Sequence, residues 1–309
     1  MKIGIVGAGA VGSAVANAAM LTDVAHEVVL VDRDHARARA EAQDIQHAAA
    51  FGHACIVRPG DYPALEGARV VVVGAGVAQR PDETRLQLLD RNRQVFESVL
   101  PAILEAAPGA LIVIATNPVD VMTEVATEIA QLPAGRLFGT GTILDSGRFR
   151  ALLSHHLGIS ARSVHAFVLG EHGDSEVLAW QSATVGALPV LDFAAQVGRP
   201  VDAEVKGEID AAVRRAAYRI IEGKGYTNYG IAGGVVRILR AVAGDEHALL
   251  SVSMETAEIN GVGPVALSLP RVVAAAGVVT TVMPALSDDE NNALTKSAET
   301  LIRAAGRTP

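Results

Sequence analysis

The stretch LGEHGDS, residues 169–175, sets a lone histidine, His172, between an acid and a glycine, with an aspartate two residues on. A residue so placed is a polar turn filler, a metal ligand or a proton-transfer group. An imidazole changes charge near neutral pH, so it can give and take a proton in both directions of a reaction. No metal is expected: the H-E-x-x-H spacing is missing, and the adjacent His155 and His156 would leave a helix in different directions. TILDSGRFRALLSHHLG (142–158) reads as a helix in which Asp145 and Arg148, three residues apart, share one face. They form either an internal ion pair worth a few tenths of a kcal/mol or a carboxylate and a guanidinium offered to a site. Arg150 lies about 200° around that helix from Arg148, so the two arginines do not serve one ligand. A further segment, GVAQRPDETRLQLLDRNRQVF (76–96), starts as a polar, proline-bearing loop and turns helical at about Asp82. It carries Gln79, Arg80 and Arg85, and is either a mobile lid (about 76–86) over a crevice or a solvated loop.

The first half of the chain supplies a frame for such groups. KIGIV is an apolar strand, GAGAVG follows it, SAVANAAML reads as a helix, and EVVLVD is a second buried strand ending at Asp32. Gly7, Gly9 and Gly12 have the G-x-G-x-x-G spacing, and Asp32 comes twenty residues after Gly12. Gly7 permits a tight turn, Gly9 lets the backbone approach a pyrophosphate, and Gly12 lets the helix pack against the strand. The helix start, where Val11 lies, offers N–H groups to phosphate. Asp32 can accept hydrogen bonds from an adenosine ribose and would repel a 2′-phosphate, so NAD is expected rather than NADP. The glycines alone are weak evidence; strand, glycines, helix, strand and acid in order are strong evidence for dinucleotide binding. ARVVVVGAG (68–76) and ALIVIATNP (110–118) are further apolar strands with helical stretches between them, the pattern of an α/β, doubly wound parallel sheet. Asn117 stands where a strand ends, either a turn residue or a contact in the ligand crevice.

Composition narrows the function classes. The 309 residues are 50% hydrophobic and 19% charged, enough for a buried core and two domains. A net charge of −8 argues against nucleic acid or an anionic membrane as partner. A single cysteine, Cys55, forms no internal disulfide and fits a reducing cytosol, where it is expected to be a buried structural thiol. The first twenty residues mimic a secretory signal, but their glycine spacing assigns them to the nucleotide loop. No apolar run reaches the ~18 residues of a membrane span.

Taken together, GAGAVGSA, VDRD, QRPDETRLQLLDRN, TNPVD, GTGTILDSGRFR, LGEHGDSE and GKGYTNYGIA resemble L-lactate dehydrogenases of the lactate/malate dehydrogenase superfamily. The stretches appear in family order across nearly the whole chain. The vertebrate-type N-terminal arm is absent, so the resemblance is to bacterial members. It implies a Rossmann domain over 1–139 and an α+β substrate-binding catalytic domain over 140–309, a chain division near residue 140, and reversible reduction of pyruvate to lactate with NADH. It implies His172 as proton donor and acceptor, Asp145 on its other ring nitrogen, and Arg148 on the substrate carboxylate. Arg85, carried by the closing loop, polarises the ketone; Asn117 orients the carbonyl; Thr227 lines the pocket; Gln79 meets the substrate side chain. Cofactor contacts are implied at Gly7, Gly9, Val11, Gly12, Asp32 and Asn117. The residue types suit the chemistry: a guanidinium grips a carboxylate with two hydrogen bonds, and an aspartate behind a histidine fixes its tautomer and favours its charged form.

Two other functions compete. A malate dehydrogenase needs a positive partner for a second carboxylate, and neutral Gln79 stands where that superfamily places an arginine, although Arg80 follows it. A non-catalytic nucleotide-binding protein would lose the proton donor or an arginine, and here His172, Asp145, Arg148 and Arg85 are all present. Asp82 and Gly230 depart from common family residues, small in the lid and alanine after GYT. The resemblance also implies a homo-oligomer, a tetramer, and an intersubunit site for fructose 1,6-bisphosphate at Arg150 and His165. His165, seven residues before His172, points to the opposite face if that stretch is one strand.

Overall fold

The computed structural model describes residues 1–77 and 85–308. Gln79, Arg80 and Asp82, and the expected helix start at about Asp82, lie outside them. In the first half, strands β1 (Lys2–Val6), β2 (Glu27–Val31), β3 (Ile56–Pro59), β4 (Val70–Val73), β5 (Leu111–Ile114) and β6 (Leu137–Gly139) alternate with helices. These are α1 (Ala10–Leu21), α2 (His35–Ala48), α3 (Arg85–Ala106) and α4 (Val119–Ala130). The strands pair in parallel in the order β6-β5-β4-β1-β2-β3. β4 and β5, VVVV and LIVI, are buried at every residue, because helices cover both faces of the sheet.

The second half adds α5 (Ile143–Leu157), then the short strands β7 (Val164–His165), β8 (Val168–Leu169), β9 (Val177–Leu178), β10 (Thr184–Val185) and β11 (Leu188–Pro189). Next come α6 (Val190–Gln196), α7 (Ala203–Arg214), α8 (Ala216–Lys224) and α9 (Tyr229–Ala243). The chain then forms β12 (Ala248–Thr256), β13 (Val265–Ala274), β14 (Gly277–Thr281) and α10 (Asp288–Ala304). The last three strands form an antiparallel meander whose β12 joins β6 at Ser253 opposite Gly139, so one nine-stranded sheet runs past residue 140. The apolar stripe of α9, including Val235, Ile238, Leu239 and Val242, shares a core with Val15, Ala16 and Ala19 of α1. A Rossmann-like parallel core therefore continues into a C-terminal α/β half. No helix among the described residues is long and apolar enough to cross a membrane. Cys55 is buried and free; it lies just before β3, so the chain there runs from a turn into a strand.

Candidate active site

The nucleotide cradle is built from backbone. Strand order reverses between β1 and β4, the place where open parallel sheets leave a crevice beyond their strand ends. The exits of the two strands touch there: the Gly74 N–H donates to the Val6 carbonyl at 2.9 Å, and the Gly7 N–H to Val31 at 2.8 Å. Gly7 has φ +104°, and a Cβ on it would lie 2.7 Å from the Ala75 nitrogen. A Cβ on Gly12 would collide with the Gly7 carbonyl oxygen, whereas one on Gly9 would meet nothing within 4 Å. Thus Gly7 and Gly12 are required by packing, and Gly9 opens a face. Gly9 also caps α1 without a side-chain acceptor, so no side chain caps the first turn that holds Val11 and Gly12. Asp32, just past β2, accepts the Ala8 N–H at 2.7 Å and the Asp34 N–H at 2.9 Å, tying the second strand to the glycine loop.

The second part of the site is built from side chains far apart in sequence. After β8, Gly170 pairs with Ser268 of β13, and the Glu171 N–H donates to Ser297 Oγ of α10 at 2.8 Å. His172 follows. Its ring Nδ1 lies 2.5 Å from Asp145 Oδ2, and Arg148 Nη1 donates to Asp145 Oδ1 at 2.7 Å. Helical spacing puts Asp145 and Arg148 one turn apart on α5; Ser146 Oγ between them accepts the Val168 N–H at 2.9 Å and clamps α5 to β8. The Asp145 side chain is 2% exposed, against 24% for His172 and 16% for Arg148, so the acid stands behind two groups that reach the surface.

The electrostatics follow from this packing. Burial opposes charge on the imidazole, but the charge and hydrogen bond of Asp145, with Asp120 and Glu176 nearby, outweigh it and push His172 up to about 9. Burial works against ionised Asp145 as well, and His172 and Arg148 together hold it below the usual carboxylate range. Burial pushes Asp120 up to about 6, and burial with the charge of Asp145 pushes Glu176 up to about 8.

Residues 1–139 match the family model of the lactate/malate dehydrogenase NAD binding domain, and residues 142–306 that of the lactate/malate dehydrogenase alpha/beta C-terminal domain. The chain belongs to the lactate/malate dehydrogenase family. NAD is the cofactor of this dehydrogenase, and the open face at Gly9, the uncapped start of α1 and the carboxylate after β2 fit its phosphates and ribose. It is 58% identical over 305 residues to an L-lactate dehydrogenase of Thermus aquaticus, covering 99% of this chain and 98% of that one. It is 54% identical over 301 residues to an L-lactate dehydrogenase of Allorhizobium ampelinum, covering 97% of each. Among solved structures, a lactate dehydrogenase from a Medee basin deep-sea metagenome library superposes with TM-score 0.94 at 36% identity, covering 99% of this chain and 98% of that one. The minor L-lactate dehydrogenase of Enterococcus mundtii, in a ligands-bound form, gives 0.93 at 34%, covering 99% and 97%.

The other sequence-derived residues of the dehydrogenase fall in several places. Asn117 is exposed at the turn between β5 and α4, three residues before buried Asp120. Thr227 is half-buried between α8 and α9. Arg85 is the first residue of α3, and Gln79 lies outside the described residues. Arg150 is half-buried on α5, where its Nε donates to the Ser146 carbonyl at 3.3 Å, and burial with neighbouring Arg237 holds it below the usual arginine value. His165 is exposed at the end of β7. His165 and His172 do not share a strand, contrary to the expectation that one strand sets them on opposite faces. The chain leaves the strand at Ala166 and Phe167; His165 pairs with Thr184 in one sheet, and Leu169 with Val177 in another. Sequence reasoning missed two buried acids beside His172, Asp120 and Glu176. Both stand inside stretches it singled out, TNPVD and LGEHGDSE, yet only their partners across the fold reveal them.

Proposed function

We propose that this dehydrogenase is an L-lactate dehydrogenase that interconverts pyruvate and (S)-lactate, with His172 giving and taking the proton. The observation that carries the reading is the shared carboxylate: Asp145 holds the His172 ring with one oxygen and Arg148 with the other. NAD, bound at the glycine loop, supplies or accepts the hydride. Asp145 fixes Nδ1, which leaves Nε2 to exchange a proton with the substrate oxygen. Arg148 grips the substrate carboxylate. Arg85 stabilises charge developing on the oxygen, Asn117 orients the carbonyl, Thr227 lines the pocket, and Gln79 selects for the substrate side chain. A neutral glutamine there leaves the second carboxylate of oxaloacetate unpaired, which supports pyruvate, as do the L-lactate dehydrogenases at 58% and 54% identity. An NADH absorbance assay tests this: kcat/KM for pyruvate exceeds that for oxaloacetate by on the order of 100-fold, since an unpaired buried charge costs several kcal/mol. Preference for oxaloacetate would make the enzyme a malate dehydrogenase, and reduction of neither would make it a nucleotide-binding protein.

The reading includes regulation in a cytosolic tetramer, with fructose 1,6-bisphosphate held between subunits by Arg150 and His165. Its support is electrostatic: Arg150 is partly desolvated beside the like charge of Arg237, a situation a bound phosphate relieves. Pyruvate saturation curves with and without the effector, for the native enzyme and Arg150→Gln, test it. Superimposed native curves at low pyruvate would remove the regulatory part and leave the catalytic part standing.

A further inference from the structure

His172 is held at two points, and only one of them is the ring. Its backbone N–H donates to Asp120 Oδ2 at 2.7 Å, across a sequence separation of 52 residues. Asp120 lies in the first turn of α4 and is 2% exposed, so its carboxylate has left water to make this contact. A negative charge in the first turn of a helix is favoured by the free N–H groups there, which lowers the cost of that burial. The other oxygen faces Ser268 Oγ of β13 at 3.4 Å. α4 thus fixes the main chain of the proton-transferring residue, while α5 fixes its ring through Asp145.

We propose that Asp120 is a positioning residue of the dehydrogenase reaction, anchoring the His172 loop through the backbone and placing a second negative charge beside the imidazole. The proposal rests on the reading of His172 as the proton-transfer group. The charged neighbours of that ring are Asp145 and Arg148 from α5, Asp120 from α4, and Glu176 from its own loop; Glu171 adds negative charge near Asp120, and Arg214 of α7 positive charge near Glu176. Of the acids touching His172, Asp145 has its charge answered by Arg148, whereas Asp120 is paired with neutral donors. Asp120 is ionised above about pH 6, so its charge is present over the range in which His172, pushed up to about 9, loses its proton.

Two substitutions separate anchor from charge. Asp120→Asn keeps an oxygen for the His172 N–H and removes the charge; Asp120→Ala removes both. kcat and KM for pyruvate are measured with each holoenzyme between pH 5.5 and 10 (range set by the two titrations, about 6 and about 9), with melting temperatures as a check on folding. Pyruvate reduction needs protonated His172, so its kcat falls as pH rises through that group. For Asp120→Asn the falling limb moves to lower pH by about half a unit to one unit, as loss of one nearby charge requires. For Asp120→Ala the limb moves equally and kcat at low pH also falls roughly tenfold or more, with a smaller change in KM, because the ring is misplaced. A native limb in Asp120→Asn overturns the charge, and a native low-pH kcat in folded Asp120→Ala overturns the anchor. If Asp120→Ala does not fold, Asp120→Asn still decides the charge, and Asp120→Ser, folded but too short to reach the N–H, decides the anchor by the same low-pH kcat. His172→Gln separates this from the underlying reading: turnover in that variant defeats proton transfer by His172, whereas an inactive His172→Gln with native-like Asp120 variants defeats only the role of Asp120.

Discussion

The nucleotide cradle stands at the strand ends of the nine-stranded sheet and the His172 cluster between α4, α5 and the loop after β8, and the two are made of different materials. The cradle is backbone: a left-handed Gly7, a Gly12 packed on the Gly7 carbonyl, an uncapped helix start, and one carboxylate, Asp32, bonded to main-chain N–H groups. The cluster is side chain: a histidine, two aspartates, a glutamate and an arginine drawn from α4, α5 and the loop after β8. Backbone sites fail through shape, because an added Cβ has nowhere to go. Titratable sites fail through charge, because each acid sets the proton affinity of the ring. The two regions should therefore answer differently to mutation and to pH.

Asp145→Asn is expected to give the largest effect. It leaves the shape almost unchanged but removes the charge that favours the imidazolium. kcat for pyruvate falls by about 100-fold or more, the range of a positioned acid–base group, and the alkaline limb moves to lower pH. NADH affinity, read by fluorescence titration, stays within about twofold of native, since among the described residues Asp145 bonds Arg148 and His172 rather than the glycine loop. A parallel loss of NADH affinity would show that the two regions are one energetic unit. Gly12→Val is the converse. Its side chain is driven into the Gly7 carbonyl, and overpacking of about 1–3 kcal/mol corresponds to a roughly 10- to 100-fold rise in the NADH Kd. The alkaline limb of kcat keeps its native position; if it moves, the cradle reaches the histidine electrostatically.

The native pH profile sharpens the same contrast. In the proposed reaction pyruvate reduction requires the imidazolium, so kcat/KM for pyruvate is expected to fall as pH rises through about 9, while lactate oxidation gains over the same interval. The fold carries the same titration. Because the folded value of His172 lies above its ordinary value of about 6.5, its contribution to stability is complete below about pH 6.5 and is lost as pH rises through about 9. Melting temperatures of native and His172→Gln protein, compared from pH 6 to 10 (a span that brackets both values), converge as pH rises. A constant difference would mean that the ring is not titrating there.

The two regions also differed in how readable they were. The cradle was legible because its parts are local: three glycines, a helix start and an acid within one βαβ unit. The Asp145–Arg148 pair was legible because helical spacing alone places them together, and their hydrogen bond realises that face. Asp120 was not legible, since no periodicity links it to His172 across 52 residues. The 164–172 stretch misled because its apolar alternation reads as one strand, while the chain bends at Ala166 and serves two sheets. Arg271 is the same lesson in the core. SLPRVV gives no sign that this arginine is 1% exposed, its guanidinium satisfied by carbonyls of Val252, Met254 and Leu267 and hydroxyls of Thr256 and Thr281. Burial pushes it down to about 10.

The smallest expected effect on turnover comes from Glu176, the acid that the hydrogen-bonded cluster leaves aside. It is 3% exposed, its Oε1 has no hydrogen-bond partner among the described residues, and burial followed by the charge of Asp145 pushes it up to about 8. A buried carboxyl beside an ionised one is more stable neutral. In the unfolded chain it ionises near its ordinary value of about 4.3, whereas in the fold it keeps its proton to about 8. Folding therefore binds the proton more tightly, so its contribution to stability is complete below about pH 4 and is lost as pH rises through about 8. Glu176→Gln keeps the shape and deletes this titration. Relative to native protein, the melting temperature of the variant rises with pH between 5 and 8, most of the interval between the two values, gaining on the order of 6 °C, since three pH units correspond to about 4 kcal/mol. Its alkaline limb for pyruvate moves down by only a few tenths of a pH unit, because Glu176 acts on His172 by charge alone, whereas Asp145 also holds the ring by a hydrogen bond. A melting difference that does not change with pH would mean that Glu176 is already ionised in the fold, its charge answered by Arg214 of α7 together with His172 and Arg148.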